Sequence, residues 1–361
     1  MSTKKYKIVK SESIVYKGRT LYRIKALKTF CVACTAISIV VKKGELGGFI
    51  ETENNLSQEG YCWIFNNAKV YDDARVSEDA KICGGAEIFD SAEVFGNAEI
   101  SGNTQIFYGA HVCGNAKVYG YAKVCGKARV YGEAKVYNFA KILDNAQVYD
   151  NAKIYENTIV AGDVQIYHNA QVYGNAWIYD DAFICDNARI YGLAKIFNKA
   201  IVYGNAKVYG NAQIFGKAKV YGNAEVYENA EIFDYAFIFG DAKVFSNAKI
   251  FGTTWLYCAA KIGDKLSLNK GKYIFATLNI DETLSEIEPI CYKISFAVRV
   301  IELKLPIEQG YIESLVSELA KYDELIDYFH SNECEIIFTP NENKIYKLLL
   351  QSKQNIENFY K

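Results

Sequence analysis

The chain has 361 residues, with 41 Lys+Arg against 42 Asp+Glu and a formal charge of −1. That length leaves room for two or three domains with an ample apolar core. The even balance excludes a global field toward nucleic acid or membrane, so any such attraction needs local segregation of charge.

The chain opens MSTKKYKIVKSES, without the apolar stretch of a secretion signal, and no run is long enough to span a bilayer. A cytoplasmic protein with no membrane partner is the expectation. Residues 1–63 read as a small β-rich cap, with strand-like runs at 6–9, 13–16 and 21–27. Cys31 and Cys34 form a CxxC inside an apolar run with no second pair, so neither a metal site nor redox chemistry is expected from it.

From Ile64 to Ile262 every sixth residue is Ile, Val or Leu, without a slip in thirty-four positions. Four residues after each of the first thirty-three comes a small residue: Ala everywhere except Thr104, Thr158, Val164 and Thr254. A fixed six-residue period without insertions signals a parallel β-helix. With the aliphatic residue as position one, positions five, six and one form a short strand. Strand alternation then puts five and one inside and six outside. Position two is aromatic in 25 of 34 copies, and positions three and four are rich in Gly, Asn and Asp, which tolerate the left-handed backbone of a sharp corner. Three hexapeptides make a coil of eighteen residues, giving eleven coils over 64–263. Cys83, Cys113, Cys125 and Cys185 all fall on position two and read as reduced space-fillers.

Residues 264–361 lose the repeat and read as an α+β domain. Helical periodicity marks 312–329, a strand is expected near 335–339, and a second helix over 345–359.

Three segments together resemble the YdcK-like family, a bacterial and phage group within the hexapeptide-repeat, left-handed β-helix superfamily. They are Glu45-Leu46-Gly47-Gly48-Phe49-Ile50-Glu51, Asn55-Leu56-Ser57-Gln58-Glu59-Gly60, and the hexapeptides containing Asn-Ala. The resemblance covers roughly residues 1–262 and does not extend into the C-terminal hundred residues. It implies a left-handed coil, which the spacing alone does not show. It also raises an acyltransferase using an acyl-CoA donor, the activity of superfamily relatives, although fold does not carry chemistry with it. Occurrence of similar proteins in phages makes an inhibitor of a host complex conceivable.

An acyltransferase of this class needs a histidine base within reach of its substrate. His111 points outward from a strand, His168 occupies a corner, and His330 closes the first C-terminal helix. None lies on a loop inserted between coils. The three histidines also show no spacing for a shared zinc, and the outward rows are aromatic and charged rather than the flat Thr rows of ice-binding helices. No catalytic residue, cofactor or metal is assigned.

Residues eighteen apart stack vertically, so outward positions form ladders. One runs Tyr119, Tyr137, Tyr155, Tyr173 and Tyr191, then Tyr209, Tyr227 and Phe245. Ring stacking by itself rewards such a ladder. The position-six row of the same face includes Lys117, Lys135, Lys153, Arg189 and Lys207, and of its eleven members eight are basic and two acidic. Lysine stems lying over the rings would explain the pairing without a ligand. A basic row beside aromatic rings is also the pattern that tracks a nucleic-acid backbone while stacking bases, which makes this face a candidate polyanion or partner surface. A second face is apolar toward its C-terminal end: Phe183, Ile201, Tyr203 and Tyr221, then Phe237, Phe239, Trp255 and Tyr257. Its expected occupant is the C-terminal domain folded back or a second copy of the chain. The reading as a whole is a non-enzymatic scaffold that presents an ordered surface to a macromolecular partner, a protein, a nucleoprotein or nucleic acid.

Overall fold

The inward slots determine the architecture. In the computed structural model every described position-one aliphatic residue and every position-five small residue is buried, most with no exposed surface at all. The structure describes residues 4–32, 39–258, 260–263 and 265–275, together with the short strands Tyr292–Lys293 and Glu335–Ile336. The chain divides into two units, Met1–Asn198 and Lys199–Lys361, and each is taken by itself below. The chain is mainly β, and parallel β-solenoid makes up about 12 turns of it, against the eleven expected.

In the first unit, two-residue strands such as Lys117–Val118 and Lys135–Val136 pair in parallel, each with the strand eighteen residues on. Position three forms the corner with a left-handed backbone, as at Asp72 (φ 55°) and Gly126 (φ 76°). Acidic residues recur there for a further reason: their carboxylates accept the N–H of the next coil's corner. Examples are Glu78 with Gly96 at 2.8 Å, Asp144 with Gly162 at 3.1 Å and Asp150 with His168 at 3.3 Å. The departures from Ala are also satisfied. The buried hydroxyls of Thr104 and Thr158 donate to the carbonyls of Ser101 and Tyr155, at 2.6 and 2.7 Å.

Within the strand pairs the ladder bonds alternate in direction, as parallel pairing requires, but at the corners and strand ends the hydrogen bonds between coils run one way. There the N–H groups of each coil donate to carbonyls of the next, as Lys117 N to Ala134 O and Tyr119 N to Val136 O. A stack built this way ends on carbonyls with no donor beneath them, and buried carbonyls need one. The N-terminal segment supplies it in two layers.

The first layer is a coil made of non-repeating sequence, which is why the stack outruns the hexapeptides. Strand β5 (Leu46–Ile50) pairs in parallel with Lys69–Val70. Phe49, Glu51 and Ser57 donate backbone N–H to Ala68, Val70 and Val76. After a 3-10 turn at Glu53–Asn55, the fully buried Asn55 replaces two missing amides. Its Nδ2 donates to the Asp72 and Ala74 carbonyls at 2.8 and 2.9 Å, while Oδ1 accepts from Glu51 N and Thr52 N.

The second layer is the antiparallel pair β1 (Tyr6–Tyr16) and β2 (Arg19–Ala26), which joins two of the expected strand runs across a bulge between Val9 and Ser13. Its side chains fill the last acceptors: Arg23 donates to Gly47 O at 2.8 Å, Tyr6 to Leu56 O at 2.6 Å, and Lys5 to the carbonyls of Glu59, Gly60 and Cys62. Short strands β3 (Phe30–Val32) and β4 (Ile39–Val41) pair with each other, and Phe30 packs edge-on to the buried Trp63.

In the second unit the same repeat continues to Ile262, but the corner after Ile250 opens into one long strand, Lys249–Cys258. It pairs in parallel with Ser267–Phe275, with a register shift between Ile250 and Thr253. Tyr273 then pairs with Glu335 in the strand Glu335–Ile336, which falls where a strand was expected near 335–339. The two helices expected at 312–329 and 345–359, the CxxC partner Cys34 and His330 lie outside the described residues. Among the described residues no helix is long and apolar enough to cross a membrane.

Two substitutions test this account of the end coil. A methyl on Gly47 would sit 2.6 Å from Ile24 Cγ1 and from Ile64 O, and one on Gly48 would sit 2.5 Å from Ala68 O. Gly48→Ala is therefore expected to cost about 1–3 kcal/mol in urea denaturation through overpacking. Asn55→Ala leaves several buried groups unpaired and should cost at least about 2 kcal/mol. A loss below about 0.5 kcal/mol for either would show that the coil is not held as described.

Candidate polyanion-binding surface

The tyrosine ladder of the first unit forms as the eighteen-residue spacing requires. Ring centroids of Tyr119, Tyr137, Tyr155 and Tyr173 are spaced at 4.8 Å with planes within 4° of parallel, and Tyr191 lies 5.0 Å from Tyr173. In the second unit Tyr209 stacks on Tyr227 at 4.9 Å. This geometry alters what the ladder can do. A ring between two parallel neighbours 4.8 Å away has both faces covered, so it offers a ligand its edge and hydroxyl, with no room for an inserted base.

Burial pushes the phenols of Tyr119 and Tyr137 up, and Tyr155 rises to about 12 from burial and then from its neighbours Tyr173 and Tyr137. These three phenols are thus neutral at physiological pH.

The basic row is less free than its composition implies. Glu99 lies between Lys81 and Lys117, at 3.2 and 2.9 Å from their ammonium groups. Burial pushes the Glu99 carboxyl up, but hydrogen bonds from Lys117 and Lys81 outweigh it, so it sits below the usual carboxylate range. The second unit repeats the arrangement, with Glu225 between Lys207 and Lys243 at 2.9 and 3.1 Å. Hydrogen bonding from Lys207 leads in lowering the Glu225 carboxyl. Lys117 and Lys207 therefore have carboxylate partners. Among the described residues Lys135, Lys153 and Arg189 have none, and neither Lys135 nor Lys153 places its ammonium over a ladder ring.

The corner beside the ladder holds what reading along the faces missed. Position four carries Tyr121 and Phe139, which stack at 5.2 Å and 10° yet are each 54% exposed. Their coil neighbours eighteen residues away are Asn103 and Asn157, so the outer ring faces have no aromatic cover. Two residues further along each chain segment stand Lys123 and Lys141, both exposed, paired in register on adjacent strands. Lys135 and Lys153 form a second register pair on the ladder face. Like charges on adjacent rungs repel by roughly 1 kcal/mol in water. Glu156 at the same corner and Asp144 at the next set two carboxylates against these four lysines. An aromatic residue in a corner slot held mostly by Asn, Asp and Gly was the available signal, and Tyr235 shows it as well in the second unit.

The rings of the apolar face also form ladders. Tyr203, Tyr221 and Phe239 stack on one another at 4.6 and 4.9 Å, Phe237 lies 5.0 Å from Trp255, and Lys219 covers Phe237 at 5.3 Å. These side chains and Ile201 are half-buried by their own ladder, as is Phe183 in the first unit. The Tyr257 side chain lies outside the described residues.

Among the described residues His111 and His168 both face carboxylates. His168 Nδ1 is 2.9 Å from Asp186 and its Nε2 is 3.9 Å from Asp150, while His111 Nδ1 is 3.6 Å from Glu93. A base whose two nitrogens both face carboxylates is poorly placed to take a proton from a substrate. Comparison with protein-family models and with curated proteins found no match.

The ladder makes a titration prediction. Folding raises the Tyr155 phenol above the unfolded value of about 10, so above that pH the unfolded chain loses protons first. Stability is expected to be intact below pH about 10 and to fall as pH rises toward about 12. Urea midpoints at pH about 9 and about 11 check the sign, and a higher midpoint at the more alkaline pH would contradict it.

Proposed function

We propose that the protein is a binding scaffold, and that the corner carrying Tyr121 and Phe139 holds a single-stranded nucleic acid. The observation that carries this reading is the exposed aromatic pair flanked by two register pairs of lysine, Lys123 with Lys141 and Lys135 with Lys153. Open ring faces suit base stacking, and flanking ammonium groups suit the phosphates on either side. The neighbouring ladder contributes hydroxyl edges and a rigid frame, and the repeat scaffold supplies an ordered row of sites at coil spacing. The same reading takes residues 1–262 as a YdcK-like hexapeptide protein. Its support is that the motif residues Gly47, Gly48 and Asn55 all serve the end coil such a solenoid needs.

Anisotropy with a labelled single-stranded oligonucleotide tests the proposal. Affinity should fall with salt at a slope of about −0.7 per phosphate contacted. Tyr121→Ala with Phe139→Ala should cost about 1–3 kcal/mol per stacked base. Lys123→Glu with Lys141→Glu should abolish binding at moderate salt. Absence of binding at low salt sinks the proposal. Equal affinity for an inorganic polyphosphate would remove the base-stacking part and leave a site for polyanions alone.

A further inference from the structure

The ammonium group that closes the first coil also touches a thiol. Lys5 Nζ lies 3.1 Å from Cys62 Sγ, and both residues are fully buried. The same nitrogen lies 3.1, 3.3 and 3.0 Å from the carbonyls of Glu59, Gly60 and Cys62. An ammonium has three protons, so capping the carbonyls accounts for the amine without the sulfur. Cys62 is a fourth neighbour that the capping role does not require. Desolvation holds the Lys5 ammonium below the usual lysine range despite the opposing pull of Cys62, so it releases a proton more readily than an exposed lysine. Desolvation also pushes the Cys62 thiol up, so this is not an activated surface thiol.

We propose that Lys5 and Cys62 form a redox-reversible covalent link that ties strand β1 to the first coil when peroxide oxidises the sulfur. Hydrogen peroxide, little larger than water, enters through local opening of the cap. It converts the Cys62 thiol to a sulfenic acid and releases one water. The Lys5 ammonium gives one proton to water admitted by the same opening, its lone pair attacks sulfur, the S–O bond breaks as the N–S bond forms, and the displaced hydroxide leaves with a second proton from nitrogen as a second water. One peroxide is reduced and sulfur gives up two electrons. A small thiol reverses the link by attacking sulfur, which returns the Lys5 amine, and a second thiol then restores Cys62 and releases a disulfide. The link closes a loop of 57 residues and exchanges ammonium hydrogen bonds for a covalent tie, since the joined nitrogen keeps one proton.

The test is peptide mass spectrometry on the full chain after hydrogen peroxide treatment and alkylation of free thiols. A species joining the Lys5 and Cys62 peptides, two hydrogens lighter than their sum and lost on thiol reduction, is the expected result. The same pair heavier by one bridging oxygen is the link at the next oxidation level and also supports the proposal. Lys5→Arg and Cys62→Ser should each abolish the species, while Lys4→Arg should leave it intact. The wild-type digest decides independently of whether those variants fold. Recovery of Cys62 as free thiol or sulfinic acid with Lys5 unmodified, under conditions that oxidise the exposed Cys31, overturns it.

Discussion

At its corners and strand ends every coil of this solenoid donates amide hydrogens to the coil after it, and that prevailing direction shapes the end of the stack. It lets a six-residue unit repeat without side-chain help, because backbone pairs with backbone. It also makes the two ends of a stack chemically different: one presents chiefly acceptors and the other chiefly donors. The N-terminal segment is built around the acceptor end. Asn55 stands in for two amides, and Lys5, Tyr6 and Arg23 bring donors from the β1–β2 pair. A fully buried lysine in this position is a consequence of that direction, and the thiol beside it gives the end coil a chemical sensitivity that the repeats lack.

The same direction leaves the outer surface free to vary. Because neither strand pairing nor the Ala and Ile slots depend on positions two, three, four and six, those rows carry whatever else the protein needs. Much of the variation is still structural. Stacked rings cover one another, corner carboxylates receive corner amides, and Asn side chains link from coil to coil, as Asn97 does to Asn115 and Asn115 to Glu133. Against that background the informative places are those where a row works against its own stability. Paired lysines on adjacent rungs and an aromatic pair turned into solvent at a corner are such places.

Much of this was readable by counting. Steps of six assigned the inward slots, and steps of eighteen assigned the stacked tyrosines. The β1 and β2 strand runs were visible from composition. The same arithmetic also placed Glu99 between Lys81 and Lys117, although whether the three side chains would meet depends on rotamers that spacing does not specify. Tyr121 and Phe139 were overlooked because the faces were read and the corners treated as turns. On the apolar face the steps of eighteen again stack ring on ring, as Tyr203, Tyr221 and Phe239 do.

By itself the sequence determined the solenoid, its period, its inward residues and the ladders, since these arise from local spacing repeated without interruption. Only the tertiary structure decided the roles of Gly47, Gly48, Asn55 and Lys5. Each answers a demand set where the stack ends: an orphan carbonyl to be donated to, or a backbone approach too close for a methyl group. Such demands arise between segments from 17 residues apart, as between Asn55 and Asp72, to 57, as between Lys5 and Cys62, and the hexapeptide pattern does not encode them.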